Sequence, residues 1–341
     1  MNIAEIARVC NTSPATVSRV LNGKTDVRPE TRERVLALLR QHEFRPRIGR
    51  QTHDGIGLYI APGQSLAGYY YSAVVDAIAS AAATRERVLT IVPSRRGEHT
   101  GSNGLDVLVR QHRLTGLLFL GDVDEHVLTA AREQHVPHVL VDHPHPSSGS
   151  VAVGTDIPDG VAQAVEHLIR LGHRRITLLS GPQMSGRDGL RVEGLRRAFG
   201  RAGRPVDANA VVPIARPAQP ERPAGAFVAE AIDRLWTEPD APSALIAAGE
   251  WVVIPAMATL ASRGVRIPHD LSIVTFHDAP SSQYFHPPLT AIRQPIREMG
   301  ELAVDLLVRL VSGDESISFE PHVLPLSLVI RESTGLAATS R

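Results

Sequence analysis

Apolar positions near the start of the chain recur at intervals of three and four residues, the spacing of short amphipathic helices. The first such stripe consists of Ile3, Ile6, Ala7 and Cys10. After a break at Asn11-Thr12, Ser13 is a natural N-cap and Pro14 fits the first position of a second helix. The apolar face of that helix comprises Val17, Val20 and Leu21. Two short helices joined by a tight turn are typical of a helix-turn-helix motif.

A third helix and a linker follow this pair. The stripe of the third helix lies between Val27 and Phe44 and contains Val35, Leu38, Leu39 and His42. Its apolar face can close a three-helix core, so we assign residues 1–45 to a helix-turn-helix head. Residues 46–54 are basic, contain Pro and Gly and lack hydrophobic periodicity, which is typical of a linker.

From residue 55 onward, short apolar runs alternate with amphipathic stretches. The predicted strands are residues 56–60, 88–92, 117–120, 138–141, 176–179, 211–214, 244–247, 271–275 and 326–330. The predicted helices are residues 71–83, 103–112, 125–135, 160–171, 190–202, 225–236, 253–263 and 296–311. This alternation predicts an α/β fold in which parallel sheets are covered by helices on both faces.

Two interruptions, near residues 142–153 and near residue 288, divide this α/β region into two lobes of similar build. We expect lobe 1 to comprise residues 55–152 and 288–319, and lobe 2 to comprise residues 153–287 and 320–334. A two-lobed α/β body holds a small ligand in the cleft between the lobes, at the carboxyl ends of its strands.

Charge is distributed unevenly, although the chain as a whole is neutral. Residues 1–53 carry ten Lys or Arg and five Asp or Glu, a net charge of +5, so the rest of the chain carries −5. A basic head on an acidic body indicates a polyanionic partner for the head alone. A solvated basic surface would explain the charge equally well, and the helix-turn-helix pattern decides in favour of DNA.

The single cysteine and the hydropathy pattern indicate the compartment. Because Cys10 is the only cysteine, no intrachain disulfide can form, and we expect it in the head core and the protein in a reducing cytoplasm. The candidate apolar run over residues 243–261 is broken by Glu250 and Pro255, so we expect no transmembrane helix. The first residues lack the pattern of a secretory signal.

The sequence lacks the common motifs of enzymes and of metal sites. The sequence has no G-x-S-x-G, no G-x-G-x-x-G and no Walker-type loop, so we expect neither an enzyme nor a cofactor. The segment Asp142-His143-Pro144-His145 places three potential ligands within four residues, a spacing unlike that of known zinc sites. We therefore expect no metal there and interpret the segment as a loop.

Several segments together resemble the LacI/GalR family of ligand-responsive bacterial transcriptional regulators. They are IAEIA at 3–7, SPATVSRVLNG at 13–23, TRERV at 31–35, HLIRLGHRRI at 167–176, LRVEG at 190–194, IPHDLSIV at 267–274 and PLTAIRQP at 288–295. The resemblance implies a periplasmic-binding-protein-like body and a homodimeric repressor, whose affinity for double-stranded operator DNA depends on a small molecule in the cleft. The alternative is a transport solute-binding protein of the same two-lobed fold, which would need an export signal and no DNA-binding head.

The resemblance also assigns DNA-reading positions. Those on the groove-facing side are Pro14, Ala15, Thr16, Ser18 and Arg19, and those assigned to phosphates or to the cap are Thr12, Ser13, Ser18 and Asn22. Among the groove-facing side chains, only Arg19 can bind guanine in a bidentate manner, which is worth about 1–3 kcal/mol of discrimination. Pro14 and Ala15 have no side-chain donors and can at most contact a thymine methyl group.

The linker departs from the family pattern of a hinge helix with a leucine wedge in the minor groove. No Leu occurs between Leu39 and Leu58, and Gly49 weakens any helix. Ile48 is the remaining wedge, while Arg47 and Arg50 can enter a narrow groove by charge alone. We therefore predict weaker hinge-mediated bending of DNA than is usual in the family.

The positions that match effector contacts of the family are Tyr70, Tyr71, Asp142, Arg191, Glu250, Trp251, His277 and Asp278. The tyrosines suit stacking on a sugar ring, although they could instead be core residues of a helix. His277 and the Gly249-Glu250-Trp251 segment depart from the family pattern. They favour a sugar, polyol or sugar acid other than a simple hexose. Because histidine titrates near neutral pH, effector binding is expected to depend on pH.

Overall fold

The chain forms two compact units, residues 1–53 and 54–341, called here the head and the body. A computed structural model describes residues 3–21, 27–28, 30–31, 33–35, 38, 55–62, 64, 66–92, 104–143, 149–181, 186–207, 210–214, 223–237 and 241–338. The predicted linker, residues 46–54, therefore lies outside the described residues.

The head begins with the predicted helix pair, α1 (Ile3–Val9) and α2 (Pro14–Leu21). Ser13 caps α2, because its Oγ accepts a hydrogen bond of 3.1 Å from the backbone N–H of Thr16. Such a cap stabilises a helix by about 0.5–2 kcal/mol relative to alanine. The described residues of the predicted third helix, 30–31, 33–35 and 38, are helical as well.

An apolar core holds the head together. Its buried residues are Ile6, Ala7, Cys10, Val17, Val20 and Val35, with Val27 and Leu38 packed against them. Cys10 therefore serves as a small core residue, as the sequence predicts. The side chains of Ile3 and Leu21, which were expected to join this core, lie outside the described part of the chain.

Lobe 1 of the body is a parallel six-stranded sheet in the order β11-β5-β4-β3-β1-β2. Its strands are β1 (Gly55–Ile60), β2 (Val88–Val92), β3 (Leu114–Leu120), β4 (His138–Val141), β5 (Val151–Thr155) and β11 (His322–Leu324). Its helices are α3 (Tyr69–Thr84), α4 (Gly104–Gln111), α5 (Glu125–Glu133) and α10 (Ile296–Val311). Apolar residues on both faces of this sheet are buried by the helices, which explains its continuous apolar strands.

Lobe 2 repeats this build with one reversed strand. Its sheet has the order β12-β10-β9-β8-β6-β7, and only β12 runs antiparallel within the described pairings. Its strands are β6 (Ile176–Ser180), β7 (Val211–Pro213), β8 (Ala244–Ala247), β9 (Ser272–Phe276), β10 (Thr290–Arg293) and β12 (Ser327–Val329). Its helices are α6 (Ile157–Arg170), α7 (Arg187–Arg201), α8 (Ala224–Thr237) and α9 (Glu250–Ser262), and residues Pro280–Tyr284 form a 3₁₀ helix.

The chain crosses between the lobes three times, after β5, after β10 and after β11. The expected lobe limits were therefore wrong at three places. Residues 153–155 and 322–324 pair in the sheet of lobe 1, and residues 290–293 pair in the sheet of lobe 2. These short strands are specified by the neighbours with which they pair, and three to five residues carry too little periodicity to predict them.

Helices α3 and α10 approach each other closely at a glycine. A Cβ atom added to Gly300 would lie 2.8 Å from Ala77 Cβ and 2.9 Å from the Ala77 carbonyl carbon. Real Cβ atoms do not approach backbone so closely, so the two helices can pack in this way only with glycine at this position. None of the described helices is both long and apolar enough to cross a membrane.

We expect Gly300→Ala to destabilise the body by about 1–3 kcal/mol, because the added methyl group must push α3 and α10 apart. The matched control is Gly200→Ala in α7, where an added Cβ has open space and the residue is exposed. That substitution should be neutral or stabilise the protein by up to about 1 kcal/mol. Urea unfolding followed by circular dichroism measures both, and equal effects of the two substitutions would contradict this account of the packing.

Candidate functional site

Two residues with unusual backbone geometry stand at corresponding places in the two lobes. Asp142 follows the last residue of β4, and His277 follows the last residue of β9. Both adopt positive φ angles, 54° and 64°, although neither is a glycine. Such backbone is uncommon for residues with a side chain and occurs often at functional sites. The carboxyl ends of β4 and β9 are therefore the candidate site.

A buried ion pair joins the lobes at this place. Arg187 opens α7 of lobe 2, and its Nη1 lies 3.0 Å from Oδ2 of Asp142 in lobe 1. Only 15% of the arginine side chain and 2% of the aspartate side chain are exposed. Nη1 also donates a hydrogen bond to the hydroxyl of Tyr71, whose ring centroid lies 5.5 Å from the guanidinium carbon. Arg187 thus binds two side chains of the opposite lobe.

The charges of this cluster stabilise one another. Burial alone would lower the pKa of Arg187, but the nearby Asp142 and Tyr71 raise it above its ordinary value. Burial raises the pKa of Tyr71, so its hydroxyl remains protonated at neutral pH. Burial and the charge of Asp142 do the same for the pKa of Tyr70. The cleft therefore contains a fixed cation and two neutral phenols.

Arg191 lies one turn further along α7 and is held within lobe 2. Its Nη1 donates to Oδ1 of Asp188 at 2.8 Å, and the same oxygen accepts the backbone N–H of Gly181 at 2.9 Å. The guanidinium carbon lies 4.7 Å from the ring centroid of Phe276, an attractive cation–π arrangement. Arg191 is thereby fixed in orientation beside Arg187.

His277 is half-buried where the two lobes meet and is electrically neutral. Its ring stacks on Tyr70 with centroids 4.3 Å apart, and its Nδ1 lies 2.5 Å from Oε1 of Gln294. Since an amide oxygen only accepts, Nδ1 carries the proton and donates it. Burial, aided by Arg191 and Arg187, lowers the pKa of His277 to about 3. The expectation that this histidine makes binding pH-dependent near neutral pH is therefore wrong.

The remaining predicted cleft residues have other partners. Asp278 pairs with Arg293 at 2.5 Å and with Arg331 at 2.8 Å, and its side chain is buried. Burial raises the pKa of Asp278, but the hydrogen bonds from these arginines outweigh it and hold the pKa below its ordinary value. Glu250 accepts a hydrogen bond of 2.6 Å from Ser281. Trp251 packs against an apolar core of lobe 2.

These contacts correct the expectation that Asp278 is available to an effector, because both of its oxygens are committed inside the protein. The expectation that Tyr70 stacks on a sugar ring is also corrected in part. One face of its ring is covered by His277, and its hydroxyl accepts a hydrogen bond of 3.2 Å from Gln294. Tyr70 is thus buried core at the base of the cleft, and of the two tyrosines it is Tyr71 that contacts Arg187.

Sequence reasoning missed two members of the cluster. Arg187 precedes Arg191 by four residues, so both lie on one face of a helix, and this spacing could have identified it. Gln294 is in the PLTAIRQP segment directly after β10, and it joins the lobes by hydrogen bonds to Tyr70 and to Thr155 Oγ1 at 3.4 Å. Within the described part of the chain, no group of His, Cys, Asp and Glu could hold a metal ion.

The head carries the second predicted site. At the start of α2, Ser13, Pro14 and Ala15 are exposed, as is Arg19 one turn later. Thr12 is half-buried, and so is Thr16, whose hydroxyl lies 2.9 Å from Ser13 Oγ within the cap. The side chain of Ser18 and the residues Asn22, Arg47, Ile48 and Arg50 lie outside the described part of the structure.

Two family models match the chain, one over the head and one over much of the body. The model described as "Bacterial regulatory proteins, lacI family" matches residues 2–47, and the model described as "Periplasmic binding protein-like domain" matches residues 165–334. The lactose operon repressor of Escherichia coli is 29% identical over 98% of this chain and 91% of its own length. An HTH-type transcriptional regulator of Streptomyces limosus is 30% identical over 98% of this chain and 94% of its own.

Solved structures give the same result over the whole length. A complex of the transcriptional regulator CelR with cellobiose has a TM-score of 0.71 at 28% identity, covering 98% of this chain and 99% of that one. The lac repressor dimer bound to operator and the anti-inducer ONPF has a TM-score of 0.70 at 27% identity, with the same coverage.

The predicted fold is thereby confirmed, and the helix-turn-helix head decides against a transport solute-binding protein. With a DNA-reading head of one matched family, a two-lobed body of the other and relatives that align from end to end, the chain belongs to the lacI family of bacterial regulatory proteins, which are DNA-binding regulators of transcription.

Proposed function

We propose that this protein is a homodimeric, cytoplasmic repressor whose affinity for operator DNA is set by a small molecule bound between the lobes. The observation that carries the proposal is the ion pair between Arg187 and Asp142, which joins the lobes at the carboxyl ends of both sheets. A ligand that contacts both residues changes how the lobes close. The proposed cleft residues are Tyr70, Tyr71, Asp142, Arg187, Arg191, His277 and Gln294.

The effector is a sugar, a polyol or a sugar acid. Tyr71 offers an aromatic ring, Asp142 offers acceptors, and the arginines offer planar sets of donors, which together suit a small polyhydroxylated molecule. The relatives support this class, since one solved neighbour is a complex with cellobiose. Glu250 and Trp251 are not included among the proposed cleft residues. Glu250 already accepts a hydrogen bond from Ser281, and Trp251 packs against an apolar core of lobe 2.

The head docks α2 in the major groove, and two heads read the two halves of an operator. The lac repressor neighbour supports this arrangement, being a dimer bound to its operator. Arg19 is exposed on α2 and is the proposed reader of guanine, while Thr12, Ser13, Ser18 and Asn22 contact phosphates. Pro14 and Ala15 contribute surface without donors, and Thr16 is drawn into the cap by Ser13. Arg47, Ile48 and Arg50 are proposed to contact the minor groove.

Effector binding in the cleft and operator binding by the head are then linked by a coupling free energy, which is the change that one ligand causes in the binding free energy of the other. It typically amounts to about 1–3 kcal/mol, enough to change operator affinity by about 5- to 150-fold. A thermal-shift screen of sugars, polyols and sugar acids should find a compound that raises the melting temperature, and that compound should change operator affinity in a fluorescence anisotropy titration. A compound that binds the cleft and leaves operator affinity unchanged would refute the proposed regulation.

We expect Arg19→Ala to remove about 2–6 kcal/mol of preference for an operator selected from a randomised DNA pool over a scrambled duplex, because each bidentate contact is worth about 1–3 kcal/mol and the dimer loses one in each head. These contacts are specific to guanine, so affinity for the scrambled duplex should fall only slightly. The matched control is Arg8→Ala, which removes an equally exposed positive charge from α1. It should weaken both duplexes to the same extent. Arg19→Ala with an unchanged ratio of the two affinities would contradict the assignment.

The lowered pKa of His277, a neutral and half-buried side chain, predicts how folding stability depends on pH. The unfolded chain binds a proton at His277 as the pH falls below about 6.5, whereas the folded protein does so only near 3. This contribution to the free energy of unfolding is complete above pH 6.5 and is lost as the pH falls towards 3. Between pH 7.5 and 5, His277→Gln should therefore lose about 2 kcal/mol less stability than the unsubstituted protein.

Urea unfolding at both pH values measures this difference. The control variant, His126→Gln, replaces an exposed histidine of α5 and should behave like the unsubstituted protein. If His277→Gln kept the full pH dependence of the unsubstituted protein, the neutral state of His277 would be refuted.

A further inference from the structure

Arg187 and Arg191 lie in the first two turns of α7, where the lobes meet. Arg191 pairs with Asp188 of the same helix, and Asp188 also accepts the backbone N–H of Gly181. Arg187 has its ion pair across the cleft, with Asp142 of lobe 1. Arg187 thus depends on the opposite lobe for its paired carboxylate.

Both arginines retain buried donors that no described residue satisfies. Nη2 of Arg187 and Nε of Arg191 are shielded from solvent and have no hydrogen-bond partner among the described residues. The side chain of Arg191 is only 9% exposed. Buried donors without partners cost about 1–3 kcal/mol each, so a ligand that brings acceptors is favoured here.

The start of α7 also favours a ligand that brings hydrogen-bond acceptors. The backbone N–H groups at the start of this fifteen-residue helix carry the positive end of the helix dipole, and Arg187 and Arg191 extend from its first two turns. One acid, Asp188, is already in the first turn and pairs with Arg191. The unsatisfied donors of the two arginines, next to the positive end of the dipole, favour a further anionic group.

We infer that the effector is an anionic sugar derivative whose acidic group binds Arg187 and Arg191 at the start of α7, and whose hydroxyl groups donate to Asp142. This inference rests on the proposed function of the cleft as an effector site. The acid takes the place of Asp142 as the ionic partner of Arg187 and can accept hydrogen bonds from the unsatisfied Nη2, while Asp142 Oδ2, which also has no hydrogen-bond partner among the described residues, accepts from the hydroxyl groups. A neutral sugar would have to separate Arg187 from Asp142 and return only neutral hydroxyl contacts.

Isothermal titration calorimetry at constant ionic strength tests the charge preference with matched pairs. Suitable pairs are gluconate with glucitol, glucuronate with glucose, and glucose 6-phosphate with glucose, extended to the same pairs of other four- to seven-carbon sugars. We expect at least one acid to bind ten-fold or more tightly than its neutral counterpart. The carboxylate and phosphate pairs show which acidic group the site accepts.

Variants of the full chain test the role of Arg187. Arg187→Gln should weaken binding of the preferred acid by ten-fold or more and leave or improve binding of its neutral counterpart. Arg187→Lys, which keeps the charge, should restore part of the affinity. The matched control, Arg197→Gln, lies on the same helix, where Arg197 pairs with Glu193 at the surface, and should bind like the unsubstituted protein. Thermal melts of all variants establish that they are folded.

The outcomes separate this inference from the proposed function. If neutral sugars bind and change operator affinity while their acids bind no better, the inference is overturned and the proposed effector cleft stands. Acid binding that survives Arg187→Gln unchanged also overturns the inference. If no compound of either kind binds or changes operator affinity, both the inference and the proposed cleft are refuted.

Discussion

The ion pair between Arg187 and Asp142 is the interaction on which the arrangement of the body depends. Burying two charges costs several kcal/mol of desolvation each, and their attraction repays this cost only with good geometry and further hydrogen bonds. Here the carboxylate meets Nη1 at 3.0 Å, and Tyr71 accepts a further hydrogen bond from the same nitrogen. An apolar contact would hold the lobes together at least as well. An ion pair with donors left over can exchange partners, and this property suits a site that must respond to a ligand.

The topology explains why these groups meet. Apart from β12, the described strands of each lobe run parallel, so the chain after each of them turns at the same edge, and the two edges face each other across the cleft. The positive φ angles of Asp142 and His277 turn the chain sharply at the ends of β4 and β9. Gln294 stands where the chain leaves β10 for lobe 1, so its bonds to Tyr70 and Thr155 connect a crossing segment to the cleft. One of the segments that connect the lobes is thereby in contact with the proposed ligand-binding groups.

Much of this fold follows from periodicity, and the exceptions have physical reasons. Long buried strands such as β1 and β3 and the long helix α10 are visible as uninterrupted or amphipathic patterns, because their burial is set by their own residues. The strands β5, β10 and β11 are specified by the sheets they join, and so the lobe limits were misplaced.

Asp142 and Arg191 could be identified from the family resemblance. The pairing of Arg187 with Asp142 could not, since it joins residues 45 positions apart that belong to different lobes. Asp278 was misassigned because its sequence position does not reveal its two arginine partners.

The head limits how much of the specificity for operator DNA can come from direct contacts with bases. Pro14 and Ala15 at the tip of α2 lack side-chain donors, and the Thr16 hydroxyl contacts the cap of Ser13, so Arg19 is the proposed principal reader of bases among the described residues. One bidentate contact per head is worth about 1–3 kcal/mol, well below the 4–10 kcal/mol that separates specific from non-specific binding in typical regulators. The difference must come from doubling the contact in a dimer and from the spacing and shape of the DNA between half-sites. A regulator that depends on spacing more than on base contacts can be switched by small changes in the distance between its heads, so a modest change in lobe closure is sufficient to control it.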